Sequence, residues 1–148
     1  YSKPGEYALL YFDVLRFKAI NDMFGMGEGD RLLRHIAHVL KLMSQSQELV
    51  CRWAADRFIM LAHRQGQELQ LLVDGIMDNL NGYGLSLETV CNMGIYVTTA
   101  EDVPLAGMID RAVMAQSQIK GSYAQKYNYY TEEHNMTIPM DFWWGLRP

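Results

Sequence analysis

Two short apolar runs with a link of only four residues between them constrain the fold of this chain more than any other feature. The runs extend from Leu49 to Trp53 and from Phe58 to Ala62, and both are rich in β-branched, aromatic or large apolar side chains. Such runs around a tight link are typical of two paired strands. The sequence therefore predicts a β-hairpin whose turn lies between Ala54 and Arg57.

Helical patterns and further strands lie on both sides of this hairpin. In chain order the pattern predicts a strand from Tyr7 to Asp13, a helix through Phe17, Ile20 and Phe24, a helix that begins at Asp30, the hairpin, a helix from about Gln67 to Leu80, a strand from Glu88 to Thr99, a helix from about Pro104 to Lys120 and a strand from Lys126 to Tyr130. Gly25, Gly27 and Gly29 are predicted to separate the first two helices. This alternation indicates an α+β fold with a mixed or antiparallel sheet covered by helices.

Length and composition narrow the class of protein. A chain of 148 residues with 49% apolar side chains fits one compact domain with a single core. No apolar stretch approaches the roughly 20 residues that cross a bilayer, so we expect a soluble domain with no membrane contact. The cysteines, which we expect to be reduced thiols, indicate a cytoplasmic location. A formal net charge of −4, without a basic stripe, argues against a nucleic-acid partner.

The ends of the chain and its cysteines add two further expectations. The sequence begins at Tyr1 without a methionine and ends on an aromatic segment, so we interpret it as a piece of a longer chain. Cys51 and Cys91 lie in strand-like runs and lack a partner at metal-ligand spacing, which predicts buried, reduced thiols.

Several motifs together resemble the GGDEF domain, the diguanylate cyclase module. The segment from Phe12 to Asp22 reads FDVLRFKAIND, the segment from Gly25 to Asp30 reads GMGEGD, the hairpin turn reads AADRF and the strand after it carries NMGI from Asn92 to Ile95. The resemblance implies a palm-like fold of the nucleotidyl-cyclase type, with a mostly antiparallel five-stranded sheet and the signature on the hairpin. It covers residues 1–133, and residues 134–148 are interpreted as a tail or linker toward a following domain.

The resemblance also implies the metal and phosphate positions. In the family, two facing domains each hold one GTP with magnesium, and Asp13 and Asp56 fall where the metal ligands stand. Taken alone, two acidic residues at strand ends are also ordinary solvated carboxylates. Lys120 falls where the family places a phosphate-contacting lysine, although a basic residue at a helix carboxyl end has an equally simple explanation in the helix dipole.

Asn21 and Asp30 fall where the family recognises guanine. A carboxylate accepts from both the ring N–H and the exocyclic amino group of guanine, and an amide serves the neighbouring edge of the base. The competing interpretation is structural: Asn21 caps the end of one helix and Asp30 caps the start of the next.

The departures from the family pattern fall on the signature itself. Ala54 and Ala55 replace two glycines that let the backbone approach phosphate, and Arg57 replaces the second acidic residue, whereas Asp56 and Phe58 are kept. Leu15 and Met26 replace a further aspartate and a histidine. A cation at position 57 repels magnesium, so we expect weakened magnesium binding, no requirement for a metal, and no functional catalytic residue in this hairpin.

These observations lead to three functional hypotheses. The first is a non-catalytic regulatory domain of cyclic di-GMP signalling that still binds GTP through Asn21, Asp30, Arg57 and Lys120 and controls a neighbouring domain, such as a phosphodiesterase of the EAL type. The second is a structural or homodimerisation module in which Arg57 pairs with Asp13 or Asp56. The third is a residual cyclase. The product-inhibition motif of the family is absent, because Gln45 to Glu48 reads QSQE.

Overall fold

The computed structural model describes residues 4–54, 56–81, 91–122 and 124–131. Its elements in chain order are β1 (Ala8–Val14), α1 (Phe17–Phe24), α2 (Met26–Met43), β2 (Leu49–Ala54), β3 (Arg57–Ala62), α3 (Gly66–Asn81), β4 (Cys91–Val97), α4 (Leu105–Ser117) and β5 (Tyr127–Tyr129). Within the described part of the chain, no helix is both long and apolar enough to cross a lipid bilayer. The predicted tail at 134–148 and the predicted start of the fourth strand at 88–90 lie outside the described residues.

The five strands form one sheet in the order β2-β3-β1-β4-β5. The pairs β2–β3, β3–β1 and β1–β4 are antiparallel, and the short β5 lies parallel to β4. The predicted hairpin and the predicted mostly antiparallel five-stranded sheet are both confirmed. β1 lies at the centre of the sheet, which explains why every one of its residues is buried.

The two faces of the sheet pack against different helices, because successive side chains of a strand point to opposite faces. Leu10 and Phe12 of β1 lie in the larger core cluster with side chains of α2 and α3. Leu9 and Tyr11 lie in a smaller cluster with Ile109 and Ala112 of α4. By the same alternation Asp13 faces α4, and this placement determines what the carboxylate contacts.

α2 begins earlier than the sequence predicts, which corrects the assignment of Asp30 as a helix cap. Gly25 is the residue that interrupts the chain, with a φ of 88° between α1 and α2. Gly29 lies inside α2, where an added Cβ would lie 1.8 Å from the side-chain oxygen of Asn21. This glycine allows α1 and α2 to pack closely, and Asp30 is an exposed residue within α2.

The two cysteines differ in their environment. Cys91 on β4 is buried, as predicted, but Cys51 on β2 is exposed, so the prediction of two buried thiols was wrong for Cys51. β2 is an edge strand, and every residue of it except the half-buried Val50 is exposed. A strand-like sequence indicates pairing, but it does not show whether a helix covers the strand.

Glu48 forms a closed polar cluster at the start of β2. Its carboxylate accepts hydrogen bonds from the backbone N–H groups of Gln45 and His63, both at 2.8 Å, and from the guanidinium of Arg64 at 2.9 and 3.0 Å. The Arg64 guanidinium also donates to the carbonyl of Met43. The cluster therefore joins the end of α2 to both strands of the hairpin.

Candidate functional site

Asp13 lies at the carboxyl end of the central strand, with its carboxylate directed at α4. Its side chain is only 6% exposed. The side-chain amide of Gln116 donates to Oδ1 at 2.7 Å, and the ammonium of Lys120 lies 2.9 Å from Oδ2. Both oxygens of this carboxylate are thus engaged by groups from the far end of the chain.

Two residues of β4 bring those donors to Asp13. At Gly94 an added Cβ would lie 1.8 Å from the carbonyl oxygen of Ala112, so the absence of a side chain lets α4 lie directly on the sheet. The buried side chain of Asn92 donates to the carbonyls of Ser122 and Gln125 and accepts from the backbone N–H of Gly121. Asn92 thereby holds the turn that carries Lys120.

The hairpin places Asp56 and Arg57 beside the same strand end. Arg57 is the cross-strand partner of Asp13 in the β1–β3 register, and the carbonyl of Asp56 accepts from the backbone N–H of Val14 at 3.1 Å. Burial raises the pKa of Tyr11 on the same face, and the charges of Asp13 and Asp56 raise it further while Arg57 opposes them. Ala55 lies outside the described residues.

α1 completes the wall on the other side. Arg16 precedes it with a φ of 57°, the left-handed region that non-glycine residues seldom adopt, and no side chain caps the helix. The first backbone N–H groups of such a helix lack partners within it and attract anions. The left-handed residue and the open helix end lie next to the end of β1.

Together these elements enclose a pocket of about 430 Å³. Its described lining residues are Asp13, Val14, Leu15, Arg16, Phe17, Lys18, Asn21, Asp56, Arg57 and Lys120. The volume lies within the usual range of roughly 300–1,000 Å³ for small-molecule sites. Four of the lining side chains are cationic and two are anionic, so the charge of the wall favours an anionic ligand.

The structure brings most of the predicted site residues together. Asp13, Asn21, Asp56, Arg57 and Lys120 all line this pocket, although they come from four separate parts of the chain. Ala54 ends β2 at the hairpin, and Phe58 is buried in the larger core cluster. Of the described signature residues, Asp56 and Arg57 therefore line the cavity, whereas Phe58 anchors the hairpin in the core.

The structure places Asp30, Asn21 and Lys120 differently from what the sequence predicts. Asp30 is exposed on α2 and is not among the described lining residues, although it follows Gly29, which contacts Asn21. The side-chain oxygen of Asn21 is buried and accepts no hydrogen bond, so it does not cap a helix. Lys120 lies in the turn after α4 and not in the helix itself, and it pairs with Asp13.

Arg57 does not form the ion pair that one hypothesis required. Among the described residues, the carboxylate of Asp13 is paired with Lys120, and no ion pair joins Arg57 to Asp13 or Asp56. Arg57 is exposed and lines the pocket, and its strand position lies opposite Asp13. The cation that pairs with Asp13 is Lys120.

The donor set does not fit the magnesium ions that the family resemblance implies. Magnesium takes hard oxygen ligands in a near-ideal octahedron. Both oxygens of Asp13 are engaged by Gln116 and Lys120, and Asp56 is the one other carboxylate among the described lining residues. No group of three or more His, Cys, Asp or Glu side chains in the described part of the chain is arranged to hold a metal.

Sequence reasoning did not identify Gln116 as a site residue. It is 2% exposed, and its amide also donates to the carbonyl of Asn92 at 3.2 Å. A signal was present, because Ile109, Ala112 and Ala115 mark the buried stripe of α4 and Gln116 lies on the same stripe. A polar residue on a buried stripe needs a partner, but the pattern does not name one.

Comparison with known families agrees with the fold. The sequence profile described as "Diguanylate cyclase, GGDEF domain" matches residues 2–126. The chain therefore belongs to the GGDEF domain family, a family of cyclic di-GMP signalling.

Two curated relatives illustrate the range of proteins that carry such a domain. The protein y4lL of Sinorhizobium fredii is 31% identical over 121 residues, which cover 76% of this chain and 14% of y4lL. The cyclic di-GMP phosphodiesterase PdeR of Escherichia coli is 25% identical over 143 residues, which cover 93% of this chain and 22% of PdeR. This chain thus spans less than a quarter of the length of either relative.

A solved structure with a similar fold covers nearly the same length as this chain. It is an EAL/GGDEF domain protein from M. capsulatus, with a TM-score of 0.72 and 27% sequence identity. The alignment covers 88% of this chain and 86% of that one. The five-stranded sheet with its helices is therefore the fold of a GGDEF domain.

Proposed function

We propose that this chain is a regulatory GGDEF domain that binds GTP without converting it to cyclic di-GMP. The observation that carries the proposal is the state of Asp13, whose two carboxylate oxygens are taken by Gln116 and Lys120. The pocket around it has the size and the charge for a nucleotide phosphate, but its carboxylates are poorly arranged for metal ions. In this proposal the pocket binds GTP but does not convert it to cyclic di-GMP.

In this proposal, cations of the protein take the place of magnesium at the phosphates. Arg57 has a planar guanidinium that forms two parallel hydrogen bonds with a phosphate, and it stands at the mouth of the pocket. Lys18 and Arg16 lie at the open end of α1, where backbone N–H groups add to the attraction. A fixed cation needs no octahedral ligand shell.

Base recognition is assigned to the side of the pocket formed by α1 and α2. The amide of Asn21 lines the pocket, and its oxygen accepts no hydrogen bond from the protein. Asp30 follows Gly29, the residue against which the Asn21 side chain lies, and in this proposal its exposed carboxylate recognises the base together with Asn21. Guanine offers two adjacent N–H donors to a carboxylate, whereas adenine does not.

The absence of cyclase activity follows from electrostatics. Two-metal chemistry needs cations on both the attacking and the leaving oxygens. Arg57 stands where the family has a carboxylate, and repulsion between two unit positive charges at about 4 Å is on the order of 4 kcal/mol at an effective dielectric constant of about 20. Ala54 and Ala55 further restrict the close approach of the backbone to phosphate.

We propose that the output of the domain is the control of a neighbouring domain. PdeR is named a cyclic di-GMP phosphodiesterase, and the M. capsulatus protein is described as an EAL/GGDEF domain protein. These relatives support a following phosphodiesterase of the EAL type as the regulated partner. A cytoplasmic location is part of the same proposal.

The second candidate is a structural or dimerisation module with an empty pocket. The observation in its favour is that Asp13 is satisfied without a ligand, through Gln116 and Lys120. In that case the ion pair merely replaces the metal and holds α4 on the sheet. Homodimerisation through this domain belongs to the same hypothesis.

Isothermal titration calorimetry with GTP separates these possibilities. We expect GTP to bind in EDTA, and we expect added magnesium to change the affinity little. Asn21→Ala should weaken GTP binding, and ATP serves as the control nucleotide because it lacks the donors of guanine. Heat only in the presence of magnesium would contradict the role of Arg57, and no heat under either condition would favour the structural module.

A turnover assay tests the lack of catalysis directly. GTP is incubated with the protein and either magnesium or manganese, and cyclic di-GMP is measured by chromatography. We expect no product. Product that disappears in the Asp56→Ala variant would overturn the proposal, because it would show that this carboxylate still holds a catalytic metal.

A further inference from the structure

The face of the sheet that carries α4 is only partly covered. α4 packs on β4 and β1, and β2 lies at the edge beyond it. Leu49 and Trp53 of β2 are 67% and 55% exposed, and Leu105 at the start of α4 is 57% exposed. Soluble proteins seldom leave so many large apolar side chains next to one another without a partner.

These side chains form an apolar groove between α4 and the hairpin. Its lining residues are Leu9, Leu49, Cys51, Trp53, Ile59, Leu61, Leu105 and Ile109, and its volume is about 140 Å³. None of these residues is charged. The groove is separate from the pocket at Asp13, since the two share no lining residue among those described.

The chain leaves the described structure on the same face as this groove. The ring of Tyr130 packs on Tyr96, with the two ring centres 5.8 Å apart. Tyr96 begins a row of paired residues that crosses the sheet through Leu9 and Leu61 to Leu49. This row of paired residues therefore leads from the end of β5, on one side of the sheet, to the groove on the other side.

The distance along this row is short enough for the following residues to cross. Four steps between neighbouring strands, from β5 to β2, amount to about 19 Å. An extended chain covers about 3.3 Å per residue, so the segment from Thr131 to Ile138 spans about 23 Å. Because α4 covers the middle of this row, the chain has to pass around the start of the helix. From Thr131 to Phe142 it spans about 36 Å, which leaves about 17 Å for this detour before the aromatic side chains at 142–144.

We propose that residues 138–144 of this chain dock in the apolar groove. The segment reads IPMDFWW, and its isoleucine, methionine and three aromatic side chains have the chemistry of the groove. Trp53, at the irregular step in the β2–β3 pairing, is its central contact. Because Trp53 precedes the signature turn, the docked segment contacts the same hairpin that carries Asp56 and Arg57.

The reactivity of Cys51 provides a direct test. Cys51 lines the groove, whereas Cys91 is buried and burial raises the pKa of its thiol to about 12, so Cys91 is an unreactive internal reference. The variant Phe142→Ser/Trp143→Ser/Trp144→Ser, made in the full chain, should increase the rate of Cys51 alkylation about tenfold, as expected when a docking equilibrium of about ten to one is lost. The matched control Glu132→Gln/Glu133→Gln should leave the rate unchanged.

A second variant reports on proximity without removing the aromatic cluster. Phe142→Cys should form an intramolecular disulfide with Cys51 under mild oxidation, and Glu133→Cys, outside the docking segment, should form much less. The proposal would be overturned if Cys51 reacted at the same rate in the triple variant and the parent chain, and if the two cysteine variants gave equal yields of disulfide. Protection of Cys51 that depends on protein concentration, with dimers in sedimentation, would also overturn it and assign the groove to a second copy.

Discussion

Glu48 and Asp13 are both buried carboxylates that pair with a cation of their own chain, yet they differ in how completely the protein encloses them. Glu48 and Asp13 are 8% and 4% exposed as whole residues. The side chain of Arg64, the partner of Glu48, is 14% exposed, whereas that of Lys120, the partner of Asp13, is 47% exposed. One pair is closed off from water and the other opens into a pocket.

This difference separates a structural ion pair from a functional one. The carboxylate of Glu48 receives four hydrogen bonds from three residues, and the guanidinium of Arg64 has a further acceptor at Met43. Moving either partner would leave a buried charge without compensation. Lys120 is half-exposed and lines the pocket, so its ammonium can meet a phosphate group while it still holds the buried carboxylate of Asp13.

The largest expected effect follows from removing Glu48. Glu48→Ala leaves the Arg64 cation poorly compensated, so the free energy of unfolding should fall by about 3–5 kcal/mol. Urea denaturation measures this loss, with the exposed Glu68→Ala as the matched control. A loss below about 1 kcal/mol would show that the Glu48 cluster is no more important than a surface ion pair.

The contact between α4 and the sheet is tested next. In Gly94→Ala the new Cβ clashes with the backbone of α4 at Ala112. We expect the free energy of unfolding to fall by about 1–3 kcal/mol. GTP binding should also weaken, because Gln116 and Lys120 move away from Asp13. Gly27→Ala is the control, because nothing lies within 4 Å of an added Cβ there. Full stability in Gly94→Ala would contradict the close approach.

The effect of Asp13→Asn on GTP affinity distinguishes a pocket that binds GTP without a metal from a metal site. Asp13→Asn keeps the acceptor for Gln116 but removes the charge that holds Lys120, so the ammonium becomes available to phosphate. Affinity for GTP in EDTA should rise about tenfold, which corresponds to about 1.4 kcal/mol. The exposed Asp22→Asn is the control. An unchanged or lower affinity in EDTA would contradict the release of Lys120, and a loss of affinity that appears only with added magnesium would identify Asp13 as a metal ligand.

The smallest expected effect is a pH dependence that belongs to the Glu48 cluster. Burial by itself would raise the pKa of Glu48, but hydrogen bonds from Arg64, Gln45 and His63 outweigh it and lower the pKa below its ordinary value of 4.5. A lowered pKa stabilises the fold above the unfolded pKa, and this stability is lost as the pH falls through the folded pKa. Between pH 7 and pH 3 the parent chain should therefore lose more stability than Glu48→Gln, as measured by urea midpoints.

Local patterns predicted the strands and most of the helices, and they failed where a distant contact decides the outcome. The hairpin and the central strand followed from apolar runs and alternation. The start of α2 was misplaced because Gly29 serves the packing of α1 against α2, which a local pattern represents as a helix break. Cys51 was predicted to be buried because pairing in a sheet does not reveal which strand lies at the edge.

The sequence by itself indicated the fold class through its periodicity, and its resemblance to the GGDEF family pointed to Asp13, Asn21, Asp56, Arg57 and Lys120. The tertiary structure alone decided that Lys120 and Gln116 hold Asp13, since each lies more than a hundred residues away from it in the chain. It also decided that the groove beside Trp53 is open. Such contacts depend on how closely α4 approaches the sheet. Gly94 allows this close approach because it has no side chain, and a local sequence pattern does not show which helix lies against it.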